Sequence, residues 1–141
     1  MKRLQEASSG LVLIDTSAWI CFFARKGFAA LKQSVSYLLD HNRAAVTGPV
    51  LIEIIQGCRS DQEKRKLTQV LKGVHWLTIT DGMWESAATM SFDLRRKGVT
   101  ISAVDAIIAT VAISTRSQLL HYDTDYDLIA RHAELAVFKY K

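Results

Sequence analysis

Short apolar runs alternate along the chain with longer stretches in which apolar residues recur at helical spacing. Residues 11–14 form the first run, end abruptly at Asp15 and read as a buried strand. Residues 16–24 follow as a helix, and 28–40 as a second whose Phe28, Leu31, Val35, Leu38 and Leu39 share a face. A brief strand is expected at 44–47. Gly48-Pro49 comes next, with proline suited to the first helical position, and a helix continues through 50–58. Residues 61–72 make a charged amphipathic helix that stops near Gly73. The alternation at 74–80 predicts a strand, 81–97 a helix closed by Gly98, and 102–115 a markedly apolar helix. A strand at 118–122, a helix at 124–132 and a last strand at 136–138 complete the pattern.

Strands alternating with helices mean βα units. The expected fold is therefore α/β: a mostly parallel central sheet with helices on both faces, a three-layer α/β/α sandwich. A length of 141 residues suits one domain, with residues 1–10 as a polar N-terminal extension. One proline and seven glycines leave no room for a low-complexity linker. In open parallel sheets ligands bind in a crevice beyond the carboxyl ends of the strands. Chemistry is therefore sought in the groups that follow each strand.

Composition narrows the classes. Hydrophobic residues at 49% and charged residues at 23% argue against disorder. No apolar run approaches the ~20 residues of a membrane span, and the polar start is unlike a secretory signal. Cys21 and Cys58 form no CxxC pair and read as buried free thiols, which suits a cytoplasmic setting. The net charge of +4 gathers at Arg25-Lys26, Lys64-Arg65-Lys66 and Arg95-Arg96-Lys97. Such clusters suit an anionic partner such as RNA, although each alone also reads as a solvated helix surface.

Acidic residues stand where the crevice is expected. Asp15 directly follows the first strand, where Asp-Thr-Ser is also good helix-capping chemistry. Glu53 sits in Val50-Leu-Ile-Glu-Ile-Ile55, one carboxylate among aliphatic residues, and a buried charge needs a partner or a metal. Asp105 is the only charge between Lys97 and Arg116, three residues after Ser102 in a capping-box arrangement. Asp123 and Asp125 follow a late strand, while Thr124 is expected to cap the next helix with Asp127 answering it. Clustered carboxylates repel, and a divalent cation relieves the repulsion. Oxygen-only ligands select hard ions, Mg²⁺ or Mn²⁺. Such an ion activates water and neutralises charge on a phosphodiester. His75, Trp76 and Trp84 suit core or edge packing, and His121 reads as a packed strand histidine beside the site.

At these residues the chain resembles the PIN-domain family, and within it the VapC-type toxins of toxin–antitoxin pairs. The resemblance runs from Val12 to Phe138. It is carried by Val12-Leu-Ile-Asp-Thr-Ser-Ala-Trp19, Thr47-Gly-Pro-Val-Leu-Ile-Glu-Ile-Ile-Gln-Gly57, Gly98-Val-Thr-Ile-Ser-Ala-Val-Asp-Ala-Ile-Ile-Ala109 and Leu119-Leu-His-Tyr-Asp-Thr-Asp-Tyr126. It implies a PIN-like fold, with the family's catalytic, metal-binding acids falling on Asp15, Glu53, Asp105 and Asp123, and its auxiliary acid on Asp125. Thr16 and Ser17 match its polar pair after the first acid. Tyr126 stands where the family often has Phe, which should preserve packing. The resemblance further implies a Mg²⁺- or Mn²⁺-dependent endoribonuclease acting on structured RNA such as tRNA or rRNA, a homodimer, and inhibition by a small cognate antitoxin.

Other readings stay open at this point. A PIN nuclease of RNA processing without an antitoxin shares the same residues, and so does a catalytically silent RNA-binding module. An aspartate phosphatase would carry its Asp-x-Asp after the first strand rather than last. A phosphoacceptor domain would need a lysine after a late strand, and none follows Leu120 before Lys139.

Overall fold

The computed structural model describes residues 9–140, so all but the last two residues of the polar extension lie outside it. Four strands, β1 (Val12–Ile14), β2 (Ala44–Val46), β3 (His75–Trp76) and β4 (Gln118–Leu120), pair in parallel in the order β3-β2-β1-β4. The helices among the described residues are α1 (Thr16–Phe23), α2 (Ala29–Asp40), α3 (Gly48–Gln56), α4 (Asp61–Lys72), α5 (Asp81–Arg96), α6 (Ala103–Ser114) and α7 (Thr124–Ala130). The arrangement is the expected α/β/α fold around a parallel sheet.

β1 and β2 are buried along their whole length, as strands enclosed by helices must be, so their sequences are continuous apolar runs. α6 is the helix most deeply enclosed: every residue from Ala106 to Ala112 is buried. Side-chain caps fix where helices begin. Asp15, Ser60, Thr80, Ser102 and Asp123 each accept a bond from a backbone N–H of the first turn.

Topology decides where the site falls. After β1 the chain adds β2 and then β3 on one side, and later returns to lay β4 against the other side of β1. The direction of winding reverses between β1 and β4. Their carboxyl ends therefore flank the switch point at which the loops part and leave a crevice.

β4 ends at Leu120 rather than at 122, and two strands fall further short of the sequence pattern. β3 covers His75–Trp76 rather than 74–80, because its partner β2 turns into α3 at Gly48. Pairing continues only as far as the Leu77 N–H donating to the Val46 carbonyl at 2.9 Å, with Thr47 Oγ1 donating to the Leu77 carbonyl at 2.8 Å. The expected strand at 136–138 is a single parallel bridge between Leu119 and Val137. Alternate residues of a parallel strand turn their bonding groups to opposite sides. In β4, Gln118 donates toward β1 and Leu120 accepts from Asp15, which leaves Leu119 alone to serve the outer edge, donating to Ala136 and accepting from Phe138 at 2.8 Å each.

Some side chains also depart from expectation. Trp76 and Trp84 are more than half exposed and lie outside the core, Trp76 on the edge strand and Trp84 in the first turn of α5. Phe28 precedes its helix with a positive φ, is partly exposed, and packs edge-to-face on Tyr122. Both cysteines are free, Cys21 buried and Cys58 partly so.

Ile108, fully buried in α6, tests the core. Truncation of a buried Ile to Ala typically costs about 2–5 kcal/mol. Denaturant unfolding of Ile108→Ala should show a loss in that range with an unchanged denaturant slope.

Candidate active site

Asp15 is placed by the sheet itself. Its N–H donates to the Leu120 carbonyl at 2.9 Å, which extends the β1–β4 pairing by one rung. Its side chain is also the cap of α1: Oδ2 accepts from the Ser17 N–H at 2.9 Å and from Ser17 Oγ at 2.6 Å. Ser17 Oγ in turn accepts from the Tyr122 N–H at 2.9 Å, tying the loop after β4 to the first acid. The capping and site readings of Asp15 thus describe one residue. Its other oxygen, Oδ1, accepts from the Tyr126 hydroxyl at 2.8 Å.

Asp105 lies in the first turn of α6. Its N–H donates to Ser102 Oγ at 3.0 Å, so the serine half of the cap forms. Its carboxylate instead faces the Tyr126 hydroxyl, 3.1 Å from Oδ1. Asp123 caps α7 by accepting from the Asp125 N–H at 3.0 Å, and Thr124, expected in that role, is the first helical residue. Oxygens of Asp105, Asp123 and Asp125 lie within 4.8 Å of one another.

Glu53 joins through Thr16, whose Oγ1 donates to Glu53 Oε1 at 2.6 Å. It is not the buried charge that its aliphatic neighbours suggest. Val50 and Ile54, one turn apart, take the buried face of α3, while Glu53 and Ile52 are exposed. Of the five sequence-predicted acids, Asp105, Asp123 and Asp125 converge, Asp15 joins them through Tyr126, and Glu53 is tied to Thr16, the residue after Asp15.

Burial pushes the Asp105 carboxyl above its ordinary range; the charges of Asp123, Asp15 and Asp125 push the same way, and the Tyr126 bond opposes them. Burial, reinforced by the charges of Asp15 and Asp105, also raises the Tyr126 phenol, so it stays protonated and acts as a donor. His121 is buried and its pKa lowered by burial, against the pull of Asp127. Its Nδ1 accepts from the Asp123 N–H at 3.1 Å, which leaves the proton of the neutral ring on Nε2, 3.5 Å from Asp127 Oδ1.

A group of mutually repelling carboxylates with no His or Cys among them fits a hard divalent cation. Beside Glu53 lies a cavity of about 500 Å³, with Trp19, Phe23, Ile54 and Leu67 as apolar lining and Arg59 and Lys66 among its charged residues. One member of the sequence-predicted basic clusters, Lys66, thus lines the same cavity as Glu53. A cavity of about 670 Å³ between α5 and α6 contains none of the acids.

Tyr126 is the residue whose part was not read from sequence. Its ring is fully buried, as packing requires, but a buried hydroxyl needs a partner, and here the partners are two of the acids. A tyrosine in place of phenylalanine next to an Asp-x-Asp was the available signal.

The PIN domain family profile matches residues 12–132, a span that takes in all four strands of the parallel sheet. The chain is 32% identical over 135 residues to the VapC ribonuclease Mb1587 of Mycobacterium bovis, spanning 93% of this chain and 100% of that protein. Ribonuclease VapC11 of Mycobacterium tuberculosis matches to the same extent, 32% over 135 residues with the same coverage. The chain belongs to the PIN domain family, among its VapC ribonucleases. In solved structures, a chain of VapBC2 from Rickettsia felis, bound to a promoter DNA fragment, superposes with a TM-score of 0.76 at 18% identity, covering 93% of this chain and 99% of that one. FitAcB from Neisseria gonorrhoeae gives 0.74 at 16%, covering 92% and 97%. At those identities the likeness is one of fold.

The raised Asp105 carboxyl has a consequence for stability. The folded protein holds this proton at pH values where the unfolded chain has lost it. The stability it confers is therefore complete below the ordinary value of 3.8 and is lost as pH rises through the folded value. Asp105→Asn should thus raise the melting temperature of the metal-free protein at neutral pH, with a gain that shrinks toward pH 3.8. Thermal unfolding in chelator across that range checks it; a gain independent of pH would rule out ionisation as its cause.

Proposed function

We propose that this protein is the toxin ribonuclease of a toxin–antitoxin pair, a Mg²⁺- or Mn²⁺-dependent endonuclease of structured RNA whose metal is held by Asp15, Glu53, Asp105, Asp123 and Asp125. The observation that carries this reading is the convergence of Asp105, Asp123 and Asp125 within 4.8 Å at the β1/β4 switch point, with Asp15 joined to them through Tyr126. Family membership supplies the class of reaction.

When bound, the ion supplies Lewis-acid activation of water and neutralises charge on the phosphodiester. The protein's own residues set the stage for it. Ser17 and the last rung of the sheet fix Asp15, and Thr16 fixes Glu53. Lys66 and Arg59, in the cavity beside Glu53, supply positive charge for RNA phosphates at a mouth that would otherwise repel them.

An inhibitory partner has a seat nearby. The same cavity is lined by apolar side chains, and one of them, Ile20, is 64% exposed. The VapBC2 and FitAcB likenesses support a protein partner of this kind. Among the described residues no helix is long and apolar enough to cross a membrane.

Purified protein should cleave structured RNA only with Mg²⁺ or Mn²⁺ present, and chelator should stop it. Asp15→Asn and Glu53→Gln should each lower the rate by about a hundredfold or more, since even outer-shell metal partners are worth 10–100-fold. Thermal unfolding should show both variants folded. Cleavage that survives chelator, or full activity in Glu53→Gln, would overturn this reading; RNA binding without cleavage would mark a silent module.

A further inference from the structure

We propose that the Tyr126 hydroxyl is a positioning group for the cation: it bridges Asp15 and Asp105 and holds the two carboxylates as a preformed pair of ligands, so that affinity for the ion depends on this single oxygen. The inference rests on the metal-site reading above and adds to it a residue that is not itself a ligand.

Packing does not explain the hydroxyl. The ring is fully buried, and phenylalanine would fill the same space apart from one oxygen. That oxygen lies 2.8 Å from Asp15 Oδ1 and 3.1 Å from Asp105 Oδ1. One phenolic proton thus serves two carboxylates that would otherwise push apart. Its placement is not adjustable. The Tyr126 N–H donates to the Asp123 carbonyl at 3.2 Å inside the turn that Asp123 caps, and the ring packs against His121 at 5.1 Å between centroids. The residue that bridges the first and third acids therefore belongs to the same turn as Asp123 and Asp125.

The bonding of Asp15 shows what the bridge accomplishes. Two donors from Ser17 occupy Oδ2, and Tyr126 occupies one side of Oδ1. A carboxylate oxygen has about two lone-pair directions, so the side of Oδ1 left open is defined by where the phenol stands. Without the phenol, Asp15 and Asp105 lose their common donor and their separation is no longer fixed. A cation would then meet an Asp15 still held by Ser17 and an Asp105 no longer tied to it by a shared donor. Loss of such supporting partners typically weakens metal binding by about 10–100-fold.

Calorimetric titration of Mn²⁺ into the full chain and into Tyr126→Phe, at one pH, tests this directly. The expected result is a Kd raised by about 10–100-fold in the variant. The chelated variant should still unfold in one cooperative transition, and its RNA cleavage should return to the wild-type rate at saturating Mn²⁺. An unchanged or tighter Kd would overturn the proposal. So would a rate that stays low at saturating Mn²⁺, which would move the hydroxyl from placing the ion into the chemistry. Should the variant fail to fold, proton NMR of the wild type decides: a slowly exchanging Tyr126 hydroxyl proton, retained when Mg²⁺ is added, is expected, and its absence in the metal-free protein would overturn the bridge. Failure of the wild type to bind Mn²⁺ at all would instead sink the underlying metal reading, and this inference with it.

Discussion

Repulsion among carboxylates at the ends of two neighbouring parallel strands is the constraint around which this molecule is organised. Folding β1 against β4 delivers Asp15 and the Asp123–Asp125 turn to one crevice, and the start of α6 brings Asp105 to it. Nothing in strand pairing favours that convergence electrostatically. It is held by hydroxyl groups: Ser17 on Asp15, Thr16 on Glu53, and Tyr126 between Asp15 and Asp105. Hydrogen bonds to a charged group contribute about 1.5–3 kcal/mol each, enough to orient a carboxylate and too little to neutralise it.

Much of this was legible in the chain. The run ending at Asp15 is a strand because its residues are enclosed on both faces, and enclosed strands leave continuous apolar sequence. The alternation of such runs with helical periodicity gave the parallel sheet and hence the crevice. Asp105 stood out as a lone charge at the head of an apolar helix, and that helix is indeed buried from Ala106 to Ala112. The resemblance to PIN domains, drawn from four separate motifs, agrees with the family match.

What escaped the sequence did so for identifiable reasons. Aliphatic neighbours around Glu53 suggested burial, but a helix buries a stripe and not a segment, and residues one position apart on α3 differ completely in exposure. The lengths of β3 and of the last expected strand were set by their partners: β2 ends by turning into a helix, and β4 has only Leu119 free to pair outward. Local alternation carries neither fact. The Tyr126 hydroxyl escaped because the volume of the ring explains the residue at that position, and its oxygen acquires meaning only when Asp15 and Asp105, far apart in sequence, arrive on either side of it.

That the braces are neutral matters as much as their positions. Among the described residues the acids have no lysine or arginine ion-paired to them, and the nearby contact of the neutral His121 ring is with the peripheral Asp127. A buried lysine at the position of the Tyr126 hydroxyl would offset one of the two charges of Asp15 and Asp105 internally, and a cation would then have less left to stabilise. A hydroxyl fixes geometry and leaves the net charge in place. The folded protein thus retains a local excess of negative charge, of the kind that a hard divalent cation would offset. Arg59 and Lys66 stand outside the carboxylate cluster, in the cavity beside Glu53, so their positive charge adds to the surface without neutralising the cluster itself.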